Sequence, residues 1–171
     1  MSERTGIITL KGNPLTLVGP EIKVGNKAPD FTVADNGLAA TTLATYGGKV
    51  KIISSVPSLD TPTCDTETRR FNQEAANLPG NVVVLTISLD LPFAQKRWCG
   101  AAGIDRVVTL SDYRTRSFGK NYGVLIEELM LLARAIFIVD ADDIVRYVQI
   151  VPEVTSEPDY AAVIEAARAL L

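Results

Sequence analysis

Histidine is absent from this sequence of 171 residues, and cysteine occurs only twice. Without histidine the chain cannot form the Cys–His or Ser–His pairs that activate many nucleophiles, and it lacks the commonest zinc ligand. Two cysteines alone cannot complete a conventional structural zinc site. We therefore expect neither a metal nor another cofactor, so the chemistry must come from the remaining side chains.

Long apolar runs are also missing. No stretch reaches the roughly 20 residues that span a bilayer, and Ser2-Glu3-Arg4 leads into a short alternating segment where a signal peptide would have its apolar core. The net charge of −3 argues against nucleic acid or an anionic membrane as a partner. We therefore expect a cytoplasmic protein that binds neither. Thiols stay reduced in that compartment, so the two cysteines need not be a structural disulfide.

The composition is that of a globular domain. With 47% apolar residues the chain can bury a sizeable core, and it contains no repeat, low-complexity tract or domain linker. A hairpin is predicted at the start, because residues 7–10 and 15–18 are apolar runs that flank Lys11-Gly12-Asn13-Pro14. We predict one domain over residues 1–171, with residues 1–25 as an N-terminal hairpin extension.

Strands and helices alternate through the rest of the chain. The apolar runs 50–56 and 82–89, separated by a helix, predict a right-handed parallel βαβ unit. Residues 135–139 and 144–151 predict an antiparallel pair at the edge of the same sheet. The other predicted elements are short strands at 31–33, 41–43 and 107–110, and helices that begin near Asp90, Arg114 and Asp159. This order predicts an α/β protein with a thioredoxin-like fold, in which helices flank a central mixed β-sheet.

The stretch Pro57–Cys64 connects the first buried strand to the following helix. Thr61 suits the N-cap and Pro62 the first helical position, which places Cys64 third. A thiol there lies near unpaired backbone N–H groups and the positive end of the helix dipole, which both favour the nucleophilic thiolate. Cys64 shares a helix face with Phe71, so the sulfur should point inward at the carboxyl end of a strand, where open α/β sheets place their sites.

Several segments resemble a known family. The pattern Pro57-x-x-x-Thr61-x-x-Cys64 matches the active-site motif of peroxiredoxins. The segments DLPFAQKRWCGA at 90–101 and LARA at 132–135 are similar to the bacterial thiol peroxidases, which are atypical two-cysteine peroxiredoxins. The likeness covers nearly the whole chain. Trp98 departs from it, because better-known members often have Phe there, and the loop 123–131, expected near the pocket mouth, is shorter than usual.

The resemblance implies a thiol-dependent peroxidase that reduces hydrogen peroxide and organic (alkyl) hydroperoxides. Cys64 would be the peroxidatic cysteine, whose thiolate attacks a peroxide oxygen and becomes a sulfenic acid. Thr61 would hydrogen-bond thiolate and peroxide, Arg134 would bring a fixed positive charge, and Pro57 would exclude water from the sulfur. Cys99 would be the resolving cysteine, which traps the sulfenic acid as an intramolecular redox disulfide with Cys64.

The same resemblance implies partners, and the positions of the two cysteines predict a motion. Thioredoxin or a similar dithiol would reduce the disulfide by exchange, and the chain would form a homodimer with an antioxidant role. Because Cys64 lies near a helix start and Cys99 near a helix end, one conformation cannot easily serve both attack and disulfide formation. We expect the first turn after Thr61 and the segment 98–103 to unwind or shift when the bond forms.

Less specific interpretations of these residues are open as well. The two cysteines could be inert core residues or a structural disulfide. An arginine that opens a strand, as Arg134 does, is usually part of a surface ion pair, and Thr61 can be a simple N-cap. Trp98 is more typical of a core or an interface than of catalysis. The acidic residues in the range 140–143 are typical of a solvated hairpin turn, because their spacing lacks a calcium-loop pattern.

The same framework could serve other functions. One other peroxiredoxin subclass resolves with a cysteine five positions after the first, but Arg69 occupies that position here. Another uses a C-terminal cysteine of the partner subunit, but no cysteine follows Cys99. A dithiol oxidoreductase is disfavoured because the sequence has no C-x-x-C. The non-enzymatic alternative is a peroxide sensor or redox switch that uses the same disulfide. Turnover distinguishes the two, since a sensor reacts once whereas an enzyme consumes peroxide catalytically.

Overall fold

A computed structural model describes residues 2–171, in which two β-sheets combine with four α-helices. The strands are β1 (Glu3–Leu10), β2 (Asn13–Val18), β3 (Thr32–Ala34), β4 (Ala40–Thr42), β5 (Val50–Ser55), β6 (Val82–Ser88), β7 (Val107–Ser111), β8 (Leu125–Ile126), β9 (Leu131–Leu132), β10 (Ala135–Val139) and β11 (Val145–Ile150). The helices are α1 (Pro62–Ala75), α2 (Pro92–Ala102), α3 (Ser117–Asn121) and α4 (Tyr160–Arg168). No helix within residues 2–171 is long and apolar enough to cross a membrane.

The larger sheet has seven strands in the order β11-β10-β5-β6-β7-β3-β4. Its centre is parallel, because β5 pairs with β6 and β6 with β7 in parallel register. The pair β10 and β11 is antiparallel and joins β5 at one end, which confirms the predicted βαβ unit and the antiparallel edge pair. The mixed α/β sheet expected of a thioredoxin-like fold is therefore confirmed. Strand β5 lies between β6, which precedes α2, and β10, which follows Arg134.

Alternating residues of the central strands face two separate cores. Ile52 belongs to the cluster that also contains Phe71 of α1 and Val163 of α4, so these helices cover one face. Ile53 belongs to the cluster on the opposite face, with Phe118 of α3. Each fully buried aliphatic or aromatic side chain contributes roughly 1.5–3 kcal/mol. Burial on both faces explains why the central strands are nearly continuous apolar runs rather than alternating ones.

The N-terminal hairpin is present, but its turn is tighter than predicted. Lys11 and Gly12 have φ of 49° and 82°, so a two-residue turn connects β1 to β2 and Pro14 lies within β2. Positive φ at both positions gives the twist that antiparallel strands favour. The hairpin is also part of a four-stranded sheet in the order β1-β2-β8-β9. The short strands within 125–132 were not predicted, because two-residue strands leave no periodic pattern.

Two smaller predictions need correction. Helix α3 begins at Ser117 rather than Arg114, because Arg116 has a left-handed φ of 54° that cannot continue a helix backwards. The acidic turn after β10 is not purely solvated. Lys51, fully buried in β5, donates from Nζ to Asp143 Oδ1 at 2.7 Å. The turn therefore neutralises a buried charge, which otherwise would be strongly unfavourable.

Candidate active site

One carboxylate fixes the loop between β5 and α1. Asp90, which follows β6, accepts hydrogen bonds from the Ser58 hydroxyl at 2.7 Å and from the Leu59 backbone N–H at 2.8 Å. Ser88 at the end of β6 donates to the same carboxylate at 2.8 Å. The loop is thereby held at the carboxyl ends of the parallel strands. The sequence pattern predicted Asp90 only as a helix start, since partners so distant in the chain leave no local signal.

Thr61 caps α1, as predicted. Its hydroxyl oxygen accepts from the Cys64 N–H at 3.2 Å, and its hydroxyl proton is donated to the Ser58 carbonyl at 3.1 Å. Pro62 is the first helical residue, so Cys64 lies in the first turn. A hydroxyl carries a single proton, so Thr61 does not donate to the sulfur in this arrangement. The hydrogen bond to peroxide that the resemblance implied requires this hydroxyl to rotate away from Ser58.

Cys64 is fully buried, with 0% of its surface exposed. Its side chain packs with Val56 and Leu59, and the half-buried ring of Trp98 contacts the same cluster. Pro57, in the same loop, is also buried. These apolar side chains keep bulk water from the sulfur, and the resulting low dielectric strengthens every charge interaction with it.

Arg134 is the fixed charge beside this sulfur. Only 1% of the residue is exposed, and its Nη1 lies 3.3 Å from Cys64 Sγ. The same Nη1 donates to Glu67 Oε2 at 2.5 Å, and Nε donates to the Val154 carbonyl at 3.0 Å. The interpretation of Arg134 as a surface ion pair is therefore wrong. The structure brings Cys64 and Arg134 together, with three acceptors holding the guanidinium in one orientation.

Glu67 is a member of the site that the sequence did not reveal. It is fully buried, one helical turn after Cys64, and Ser54 Oγ donates to its Oε1 at 3.1 Å. Burial raises the pKa of Glu67 to about 7, although the charge and hydrogen bonds of Arg134 and Ser54 act in the opposite direction. Burial also lowers the pKa of Arg134, but the charges of Glu67 and Cys64 outweigh it and raise that pKa overall. The guanidinium thus stays charged between two acidic groups.

Cys99 lies in the last turn of α2, as predicted, and is half-buried. Its Sγ is 3.3 Å from Thr109 Oγ1 on β7. Both cysteines are free thiols. Because Cys64 contacts Arg134 and Cys99 contacts Thr109, the two sulfurs occupy different polar environments, and the structure does not show the predicted disulfide.

Trp98 joins the segments that carry the two cysteines. Its Nε1 donates at 2.9 Å to Oδ1 of Asp65, the residue directly after Cys64 in the chain. The guanidinium of Arg69 pairs with Asp65 Oδ2 at 2.9 Å and lies 5.8 Å from the centre of the Trp98 ring. A phenylalanine could not donate this hydrogen bond. The departure from the family pattern therefore adds a polar contact between α1 and α2.

An open cavity of about 380 Å³ borders the turn that carries Cys64. It is lined by Pro62, Thr63 and Thr66 of α1 and by residues 155–157. Residues 123–131, expected near the pocket mouth, do not line it; they pair with the N-terminal hairpin instead. Within residues 2–171 no group of three or more His, Cys, Asp or Glu side chains is arranged to hold a metal ion.

Comparison with known proteins shows the family to which the chain belongs. Residues 23–164 match the family model described as Redoxin. The chain is 62% identical over 164 residues to a thiol peroxidase of Halalkalibacterium halodurans, covering 96% of this chain and 98% of that one. A Bacillus subtilis thiol peroxidase is 59% identical with the same coverage. The crystal structure of a peroxiredoxin-like protein from Aquifex aeolicus has a TM-score of 0.91 and 46% identity, covering 98% of this chain and 99% of that one.

The family match over residues 23–164, together with a mixed sheet of thioredoxin type, shows that the chain belongs to the redoxin class of proteins. Within that class, the chain belongs to the bacterial thiol peroxidases, which are peroxidase enzymes of the peroxiredoxin type.

Proposed function

We propose that Cys64 reduces hydrogen peroxide and organic hydroperoxides, and that Cys99 resolves the resulting sulfenic acid as an intramolecular disulfide. Thioredoxin or a similar dithiol then reduces this disulfide, so that the enzyme turns over and protects the cell against peroxides. The observation that carries the proposal is the buried contact of 3.3 Å between Arg134 Nη1 and Cys64 Sγ at the start of α1. A permanent cation and a helix N-terminus both stabilise a thiolate there.

The first step is a two-electron oxidation of sulfur. The Cys64 thiolate attacks one peroxide oxygen, a sulfur–oxygen bond forms, and the oxygen–oxygen bond breaks. The leaving alkoxide or hydroxide takes up a proton to become an alcohol or water. Arg134 can donate to the developing negative charge with a hydrogen not used by Glu67 or Val154, because a guanidinium carries five donors. A rotated Thr61 hydroxyl would supply a second donor, and Pro57 would keep water away.

The second step requires the site to open. Cys64 Sγ is buried against Arg134, whereas Cys99 Sγ contacts Thr109, and a disulfide needs Cα atoms within about 4.4–6.8 Å. We therefore retain the proposal that the first turn of α1 and the segment 98–103 shift when the bond forms. The contact of Trp98 with Asp65 must break in this movement, because it ties the two segments together.

The remaining elements of the proposal come from sequence and family likeness. They are a cytoplasmic location, a homodimer that does not depend on the disulfide, and thioredoxin as the electron donor. The alternative is a peroxide sensor that forms the same disulfide once and passes it to a partner. High identity to thiol peroxidases supports the catalytic version.

A peroxidase assay with a thioredoxin system tests the proposal. Cys64→Ser should abolish peroxide consumption, because an alcohol is not appreciably ionised at neutral pH. Thr61→Val and Arg134→Met should each slow the peroxide reaction on the order of 100-fold, the usual effect of a lost transition-state donor. Arg146→Met, which removes an exposed arginine of β11, is the matched control and should retain full activity.

Three outcomes would contradict different parts of this scheme. Full activity of Cys64→Ser would exclude it as the peroxidatic residue. Normal turnover of the Cys99→Ser variant with thioredoxin would exclude Cys99 as the resolving residue. Stoichiometric oxidation without turnover, with every dithiol tried, would favour the sensor.

A further inference from the structure

Cys99 has a polar environment of its own beside β7. Its Sγ lies beside Thr109 Oγ1, and a cavity of about 300 Å³ opens there, lined by Cys99, Thr109, Asn36 and Asp105 among others. Thr109 is only 3% exposed, in the middle of β7. A small reagent can therefore approach the sulfur from this cavity, while the hydroxyl beside it is held by the strand.

Proton counting decides which atom donates in this group. Thr109 Oγ1 donates to the side-chain carbonyl of Asn36, with 3.1 Å between the oxygens. A carbonyl oxygen can only accept, and a hydroxyl has a single proton. Thr109 therefore has no proton left for the sulfur and can only accept from it. The contact of 3.3 Å is then a hydrogen bond from the Cys99 thiol, which exists only while that thiol keeps its proton.

We propose that Thr109 and Asn36 are positioning residues that hold Cys99 as a neutral thiol turned toward β7, and that this restraint slows resolution. The proposal rests on the resolving role given to Cys99 above. Resolution forms a sulfur–sulfur bond between Cys99 and Cys64, breaks the sulfur–oxygen bond of the sulfenic acid, and releases water with the thiol proton. A thiol whose proton is engaged by Thr109 is a poor nucleophile. The hold thus prolongs the sulfenic acid.

Removing the hydroxyl provides the test. Thr109→Val keeps the shape and suits a strand, whereas Thr109→Ser keeps the hydroxyl and serves as the matched control. Reduced protein is mixed with hydrogen peroxide, quenched at intervals, and the sulfenic acid and disulfide forms are counted by mass spectrometry. The step from sulfenic acid to disulfide should be about 3–10-fold faster in Thr109→Val, the factor for one weak hydrogen bond, and unchanged in Thr109→Ser. The preceding peroxide reaction should not change in either variant.

A second readout separates this proposal from the resolving role itself. In the Cys64→Ser background no sulfenic acid forms at position 64. The rate at which iodoacetamide alkylates Cys99 then depends only on how Thr109 and Asn36 restrain its thiol. Thr109→Val should raise that rate by a similar factor. Asn36→Ala lies in a surface turn and frees the Thr109 proton to donate to sulfur, so it should also raise it. An equal or slower alkylation rate in Thr109→Val would overturn the hold, even if the disulfide forms. Suppose that Thr109→Val speeds alkylation, but that the chain with both cysteines forms no disulfide after peroxide addition. This outcome would support the restraint of Cys99 by Thr109 and would overturn the resolving role of Cys99.

Discussion

Replacing Glu67 by Gln tests which force governs the buried site, desolvation or the ion pair. Glu67 is fully buried, and its carboxylate accepts from Arg134 at 2.5 Å and from Ser54 at 3.1 Å. Burial raises its pKa from the ordinary 4.5 to about 7, so desolvation outweighs the attraction of Arg134. Gln has the same shape and can still accept from Arg134, but it cannot ionise. The difference between the two proteins therefore isolates one titration.

The sign of the effect follows from proton binding. Between pH 4.5 and 7 the folded wild type holds a proton on Glu67 that the unfolded chain has lost. The contribution of Glu67 to the free energy of unfolding is therefore largest below pH 4.5 and is lost as pH rises through about 7. A pKa raised from 4.5 to about 7 corresponds to roughly 3 kcal/mol in all. Most of this, about 2–3 kcal/mol, is lost between pH 5 and pH 8, and E67Q should not lose it.

Urea unfolding at pH 5, 6, 7 and 8 measures the effect. The free energy of unfolding of E67Q minus that of wild type should rise by about 2–3 kcal/mol across this range. Burial also raises the pKa of Asp112 to about 6, but Asp112 is present in both proteins and cancels in the difference. Glu165→Gln, exposed on α4, corrects for the loss of one surface carboxylate. A difference that is flat or falls with pH would refute the reasoning and show that the Arg134 ion pair keeps Glu67 ionised in the folded state.

Three further predictions concern other parts of the molecule. Asp143→Asn should lower the free energy of unfolding by about 2–4 kcal/mol in urea titrations, because it leaves the buried Lys51 ammonium without its charge partner. An unchanged midpoint would mean that Lys51 finds another partner. Trp98→Phe removes the donor to Asp65 and should speed disulfide formation after peroxide addition several-fold, measured by quenched flow, whereas an unchanged rate would mean that this contact does not oppose opening. Hydrogen exchange should show lower protection of residues 62–70 and 93–103 in the oxidised than in the reduced protein, and equal protection would exclude the proposed shift.

Interactions between residues close in the chain were enough to predict the helix ends, the positions of both cysteines and the parallel strands. The N-cap at Thr61, the proline after it and the position of Cys64 in the first turn follow from rules that act within one helical turn, and the structure confirms them. The position of Cys99 near a helix end followed from the glycines after it, and Gly103 does end α2 in a left-handed conformation. The parallel strands were evident because burial on both faces leaves a continuous apolar run.

The sequence by itself thus determined the fold class and the two thiols, because apolar periodicity and helix signals are written in neighbouring residues. Only the tertiary structure decided the environment of each thiol. Glu67 looked like one more charge on a polar helix until β10 brought Arg134 against it, and nothing near Cys99 indicated Thr109 or Asn36 as its partners. Contacts between residues far apart in the chain depend on how sheets and helices pack, and no local pattern records that packing.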